Sequence, residues 1–371
     1  AEEVLITQLR RSVASHLVSD VPVGVFLSGG TDSSLVAALA VQEGQPLQAF
    51  SLGFEEAAYN ELPYAEAVAR HLGLPWEKEV LSAHRAASLL MEMPKWYDEP
   101  FGDVSALPTY LVSRLAARSV KVVLAGDGGD ELFWGYGRYP WAKRIATWRP
   151  LLSLSAPVLT RLPSPRIQRV GKLLDLPAQA IPEHIFSQEQ YAFSWAEIQQ
   201  LHDDFREPWH SPYTLPEHPV ARQSMWDFLH YLPDDLLTKV DRASMQHSLE
   251  VRVPLLDKAF VELAWQVAPA LKYPTPGNPI QYKPLLRRVL RRFLPPAFVE
   301  RRKWGFTIPL AQWLQSSLRD WLLTYTEPHY LQQQYGLHPQ PIRKLHKAFV
   351  QRKTYLATRL WLLAVLGSFR S

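Results

Sequence analysis

Val23-Gly24-Val25-Phe26-Leu27-Ser28-Gly29-Gly30-Thr31-Asp32-Ser33-Ser34 is followed at once by a helix-forming run, Leu35-Val36-Ala37-Ala38-Leu39-Ala40. A short apolar run that stops at Ser-Gly-Gly and resumes as a helix reads as buried strand, tight turn and helix N-terminus. Glycines let a backbone come close to a ligand, and free N–H groups at a helix start attract anions. Ser28, Ser33 and Ser34 add hydroxyl donors. Asp32 would repel a bare phosphate, so its presence points to a magnesium ion between the two. The turn lacks the lysine and spacing of a Walker loop, and also the three spaced glycines of a dinucleotide site. For an isolated Ser-Gly-Gly, a plain serine-capped turn would be the better reading. With strand, helix, acid and two serines in place, a site for a phosphate chain carrying metal is favoured.

Working outward, strands are predicted at 23–27, 47–54, 76–81 and 120–125, with helices at 31–43, 60–72, 84–96 and 106–118. Alternating strand and helix implies a parallel sheet covered by helices, with ligands beyond the carboxyl ends of the strands. After about Trp134 clear strands disappear and prolines and tryptophans become common. Helical patterns return at 235–247, 258–267, 283–293, 310–325 and 352–366. The expected organisation is an α/β core over 1–140 and a helical region over 141–371.

The 371 residues suit two domains, and 47% hydrophobic with 20% charged residues allows a sizeable core. A formal charge of +4 is modest and does not by itself indicate nucleic-acid binding. There is no cysteine, which excludes disulfides, thiolate nucleophiles and Cys-based zinc sites. No apolar run is long enough to span a bilayer, and a cytoplasmic location without a membrane partner is expected. The start at Ala1 points to a domain cut from a longer protein or to a processed start. Trp141, Trp148, Arg144 and Arg149 read as core packing with snorkelling arginines rather than a stacking surface for single strands.

Three further stretches carry chemistry. Ala125-Gly126-Asp127-Gly128-Gly129-Asp130-Glu131-Leu132-Phe133 follows the fourth strand directly. Three acids there repel one another unless a cation or donor joins them, although Asp130 and Glu131 also suit a helix cap. Lys239-Val240-Asp241-Arg242-Ala243-Ser244-Met245 leads to Glu250-Val251-Arg252-Val253-Pro254-Leu255-Leu256-Asp257. Lys239 and Arg242, three apart, can share a face, which alone would read as a surface helix with ordinary ion pairs. The last stretch, Arg301-Arg302-Lys303-Trp304-Gly305-Phe306, continues to Pro309 and Trp313. Taken alone it could be a basic surface loop. Asp98-Glu99-Pro100 and Asp103 form an acidic turn whose charge reads as structural.

Together these stretches resemble the ATP pyrophosphatases that adenylate a carboxylate, most closely the C-terminal synthetase domain of the asparagine synthetase family. β-Lactam synthetases and lasso-peptide cyclases share that domain. The resemblance runs from about Glu3 to Trp313. It implies a doubly wound parallel sheet of the adenine nucleotide α-hydrolase type followed by a mostly helical lobe. It implies ATP and Mg2+ as co-substrate and cofactor, and β-aspartyl-AMP formed from aspartate and then attacked by ammonia. By the same match, Leu27, Ser28, Gly29, Gly30, Asp32, Ser33, Ser34, Leu52, Ala125 and Gly126 contact the nucleotide. Asp32 and Asp130 are metal-linked. Asp127 serves adenylation and the ammonia proton, and Lys303 stabilises the departing pyrophosphate. The family often has Glu at the place of Asp127 and Ser at the place of Ala125. A glutaminase domain is expected in the full-length protein, with a homodimer as the candidate assembly and no nucleic-acid partner. The roles of Arg242, Glu250 and Arg252 stay open between substrate contact and scaffold. Alternatives are an amide-forming relative with another acceptor, of the β-lactam, lasso-peptide or cell-surface sugar type, and a non-catalytic nucleotide binder.

Overall fold

The computed structural model describes residues 2–162, 165–177, 180–190, 192–204, 213–273, 282–300, 308–351 and 353–369. The chain divides into two compact units, each assembled from separated stretches. The first takes residues 1–96, 103–136 and 228–309, and the second takes 97–102, 137–227 and 310–371.

The first unit is built on a five-stranded sheet of β1 (Val23–Phe26), β2 (Leu47–Phe54), β3 (Trp76–Leu81), β4 (Val122–Leu124) and β5 (Glu250–Arg252). Every pairing is parallel, and the order is β3-β2-β1-β4-β5. Helices α1 (Glu2–Leu17), α2 (Thr31–Gln42), α3 (Leu62–His71), α4 (Ala83–Leu90) and α5 (Ala106–Ala116) precede or connect the strands. The α/β fold expected from the sequence is the one that forms. A fifth strand appears where none was expected. β5 has three residues, two of them charged, so it carries no apolar run to announce it.

Physical causes are visible in each element. In α1, Leu5, Leu9 and Val13 recur every fourth residue and are buried, giving the helix one apolar stripe. α2 is apolar all round from Leu35 to Ala40, and those six residues are all buried in the main core. In α3 the Asn60 side chain accepts the Leu62 amide at 3.1 Å, and Pro63 sits in the first turn, where its missing N–H costs nothing. The expected helix 84–96 stops at Leu90, and a short 3₁₀ turn, Met93–Lys95, takes over around Pro94.

The sheet order has one reversal. From β1 the chain moves to β2 and β3 on one side, and β4 and β5 lie on the other side of β1. Ligands of open parallel sheets sit beyond the carboxyl ends of the strands at such a point. Here that means the loops after β1 and after β4, which hold the two glycine-rich stretches.

The second unit is helical. It contains α6 (Arg138–Leu152), α7 (Ala156–Leu159) and α8 (Pro165–Asp175), then helices Ile181–Glu189, Trp195–Leu201 and Pro219–Trp226. The last part of the chain adds Leu310–Gln315, Arg319–Tyr325, Pro328–Tyr335, Pro339–Val350 and Ala357–Ser368. The expected single helix 310–325 is therefore two, broken at residues 316–318. Trp313 and Trp361 are fully buried, and the Trp361 indole N–H donates to the Gly102 carbonyl at 2.8 Å. Arg138 is buried with two acids, its Nε 2.9 Å from Asp227 and its Nη1 2.6 Å from Glu189. Trp141 and Trp148 are exposed, not core as the sequence suggested.

Candidate active site

The loop after β1 is fixed by backbone geometry. The Leu27 amide donates to Phe50 at 2.9 Å, and the Leu27 carbonyl accepts the Ser51 hydroxyl. Ser51 in turn accepts the Trp76 indole N–H at 2.8 Å, so β1 leaves the sheet pinned through β2 to β3. The β1–β2 pairing ends at Phe26↔Phe50, while β2 stays paired with β3 to Phe54↔Leu81. Leu52 thus lies where β2 has run past β1. Within the loop, the Ser28 amide donates to the Ser33 hydroxyl at 3.3 Å, and Ser28 Oγ accepts the Gly30 amide at 3.2 Å. Gly29 has φ +69°, and a Cβ there would lie 2.7 Å from the Tyr64 backbone, so only glycine fits. No side chain caps the start of α2 at Gly30, which leaves its first-turn N–H groups for an anion. The buried Ser34 hydroxyl has no partner among the described residues.

The loop after β4 meets the first loop backbone to backbone. The Ala125 amide donates to the Arg252 carbonyl at 2.8 Å, so β5 holds the exit of β4. A Cβ on Gly126 would lie 2.7 Å from the Ser33 amide nitrogen, and one on Gly129 would lie 2.6 Å from Asp32 Oδ1. The glycines of the second stretch therefore serve close approach to the first. Residues Gly129–Phe133 form a short helix that ends at Trp134 in the left-handed region.

Two acids from the two loops converge on one cation. Lys283 Nζ lies 2.7 Å from Asp130 Oδ1 and also pairs with Asp32 Oδ2. Burial works against the Lys283 charge, but Asp130 and Asp32 outweigh it and push its pKa upward. Lys283 has φ +56° immediately before Pro284, a strained backbone worth roughly 1–3 kcal/mol, of the kind that clusters at functional sites. No sequence signal marked this lysine.

A second buried lysine lies near Asp127. Lys239 Nζ sits 2.9 Å from Asp103 Oδ2 and 2.8 Å from the Ser105 hydroxyl. Lys239 is buried while Arg242 is exposed, so the two do not share a solvent face as the spacing suggested. Burial opposes its charge, yet Asp103, Asp235 and Asp127 together raise its pKa. For Asp103 burial acts upward, but Lys239 and the Ser105 donors hold its carboxyl below the usual range. Protein surrounds Asp127 on most sides, although it keeps some exposure. Burial pushes its pKa up, Lys239 pulls it down, and Asp32 and Asp130 push it up again.

Glu131 is fully buried and accepts the Tyr136 hydroxyl. Burial, then repulsion from Asp130, raises its pKa from 4.5 to about 7. The neutral carboxyl therefore favours the fold fully below about pH 4.5, and that contribution is lost as pH rises through about 7. The loss is up to about 3 kcal/mol. Glu131→Gln stays neutral and can still accept from Tyr136. Its melting temperature should fall less than that of the parent chain between about pH 5 and about pH 8. Parallel melting curves for the two would contradict the buried neutral carboxyl.

Other singled-out residues make contacts within the scaffold. Glu250 and Arg252 pair at 2.7 Å on β5, and Arg252 Nη1 donates to the carbonyls of His16 and Val18 at the end of α1. Asp257 caps helix Lys258–Gln266 through the Ala259 and Phe260 amides. Lys303 and the whole stretch Arg301–Phe306 lie outside the described residues.

The donor set fits a magnesium ion that comes with a phosphate chain. Mg2+ usually takes one or two protein carboxylates and completes its shell with water and substrate oxygens. Asp32 and Asp130 supply two carboxylates already focused on one positive charge. No group of three or more potential metal ligands occurs among the described residues, so a cage made by protein alone is not what this site offers.

A parallel sheet with an uncapped helix start and two carboxylates beyond its strand ends at the switch point is the place where α/β folds of this type take their ligands. Comparison with protein families matches residues 5–369 to asparagine synthase, and the chain belongs to that family of ligases. A putative glutamine-hydrolyzing asparagine synthetase of Mycobacterium tuberculosis (strain ATCC 25618 / H37Rv) is 34% identical over 327 residues, covering 84% of this chain and 49% of that protein. Glutamine-hydrolyzing asparagine synthetase 1 of Bacillus subtilis (strain 168) is 29% identical over 342 residues, 86% of this chain and 52% of that protein. Glutamine-hydrolyzing asparagine synthetase B of Escherichia coli (strain K12) is 35% identical over 170 residues, 39% of this chain and 30% of that protein. The chain thus spans about half the length of the first two relatives.

Proposed function

We propose that this chain is an ATP-dependent amide-forming unit that adenylates the β-carboxylate of aspartate and passes the acyl group to ammonia. The observation that carries this reading is the convergence of Asp32 and Asp130, from two glycine-rich loops, on Lys283 beside the open start of α2. With magnesium held between its carboxylates such a site would take a pyrophosphate, and it has no Walker lysine to favour attack at the γ-phosphate.

The carboxylate oxygen attacks the α-phosphorus, the bond to the bridging oxygen breaks, and pyrophosphate leaves. First-turn amides of α2 and the hydroxyls of Ser28 and Ser33 hold phosphate oxygens, while Leu27, Leu52, Ala125 and Gly126 line the nucleoside side. Asp32 and Asp130 would hold magnesium, whose charge screens the phosphates. Lys283 keeps these carboxylates in place, and Lys303 meets charge building on the leaving pyrophosphate. Ammonia then attacks the acyl carbon and AMP departs. Asp127, whose carboxyl burial and the neighbouring acids push upward against the pull of Lys239, takes up the proton.

The relatives are named for glutamine hydrolysis, but these 371 residues include no cysteine to attack a glutamine amide. Ammonium is therefore the nitrogen source we assign to this chain, with a glutaminase domain and a homodimer as features of the complete enzyme. We place the work in the cytoplasm, where ATP is supplied. No helix among the described residues is long and apolar enough to cross a membrane.

Turnover with ATP, aspartate and ammonium should yield AMP and pyrophosphate by nucleotide chromatography. Aspartate-dependent ADP as the main product would sink the proposal.

A further inference from the structure

We propose that the second unit carries a face that docks on an anionic membrane surface, formed by α6, α7 and the turn between them. From Leu132 to Leu174 the chain has no Asp or Glu and eight Lys or Arg, although the whole sequence is nearly balanced at 40 basic and 36 acidic residues. Within that acid-free stretch, large apolar side chains point into solvent. Trp141 is 48% exposed, Trp148 55%, Leu151 71%, Leu154 93% and Val158 62%. At 3.6 residues per turn, Trp141, Trp148 and Leu152 fall within about 40° of one another around α6, and Arg144 and Leu151 flank them on one side. The adjoining stripe of α6, centred about 100° away with Tyr139, Ala142 and Ile145, is buried. The helix is therefore apolar on two faces, and only one of them is used by the fold.

The charge pattern selects the occupant. Lys143 and Arg144 lie on the solvent-facing half of α6, Arg161 is exposed just beyond α7, and the Arg144 guanidinium lies 5.7 Å from the Trp141 ring centre. Projecting Trp and Leu side chains on an acid-free, basic stretch suit the boundary between acyl chains and anionic headgroups. The indole rings sit at headgroup level, and each nearby cation adds about fivefold to binding. No helix among the described residues is long and apolar enough to cross the bilayer, and the proposed association is peripheral and salt-sensitive.

Co-sedimentation of the 371-residue chain with vesicles tests this. Vesicles with about one-third phosphatidylglycerol should retain the chain at low salt and release it at high salt, and pure phosphatidylcholine vesicles should not bind it. Lys143→Glu with Arg144→Glu should lower the partition coefficient by about twentyfold or more. Trp148→Glu with Leu154→Glu should lower it by a similar factor, which simple charge attraction would not require. Both pairs lie on exposed positions, and unchanged melting temperatures would verify that the variants fold. No binding to anionic vesicles would overturn the proposal. So would retention that survives Trp148→Glu with Leu154→Glu, or equally strong capture of the chain by a soluble polyanion such as RNA. Self-association through this face, seen by sedimentation velocity and abolished by the same variants without vesicle binding, would also overturn it.

Discussion

Replacing Lys283 with Met should destabilise the chain by about 3 kcal/mol in magnesium-free buffer and cut pyrophosphate release at least about a hundredfold. The reason is the pair of carboxylates it leaves behind. Asp32 and Asp130 are mostly shielded from water and share Lys283 as their counter-charge. Removing one partner of a shielded cluster costs more than the cluster contributes, because uncompensated charge remains. Magnesium offers a way to tell this from a general packing defect. Added Mg2+ should recover much of the lost melting temperature in Lys283→Met and do little for the parent chain, whose carboxylates already share an internal cation. A variant that melts like the parent without magnesium would contradict the shared-cation reading.

The second large effect belongs to Lys303. Its basic stretch resembles the family segment in which a lysine meets the departing pyrophosphate, and under the proposed function a lysine ammonium is a compact point charge suited to that task. Lys303→Ala should lower kcat for adenylation by about a hundredfold or more, the usual scale for losing a donor aimed at transition-state charge. ATP affinity should change much less. Equilibrium ATP binding measured beside single-turnover pyrophosphate release separates the two. A loss confined to ATP affinity, with kcat intact, would make Lys303 a docking residue only.

Much of the frame was legible because its signals are local. β1 and β2 are apolar runs cut off by turns, and the glycines at 29, 126 and 128–129 stand where backbone must bend or touch backbone. What stayed hidden depends on distant partners. Lys283 and Asp32 are 251 positions apart, and a lysine before a proline looks like any loop residue. Lys239 was read as one half of a surface pair, yet Asp103, 136 positions away, holds it inside the protein. β5 escaped notice because an edge strand of three residues with two charges has neither length nor alternation. Trp141 and Trp148 read as core beside snorkelling arginines, but their spacing on α6 puts them on an exposed stripe about 100° from the buried one.

The central claim is that a carboxylate oxygen of aspartate attacks the α-phosphorus of ATP at the site formed by the β1 and β4 loops. Turnover of aspartate labelled with 18O in its β-carboxylate, followed by mass spectrometry of the nucleotide and phosphate products, tests it most directly. The account predicts AMP carrying one 18O atom per asparagine formed, with unlabelled pyrophosphate. Unlabelled AMP, or label appearing in inorganic phosphate beside ADP, would contradict it.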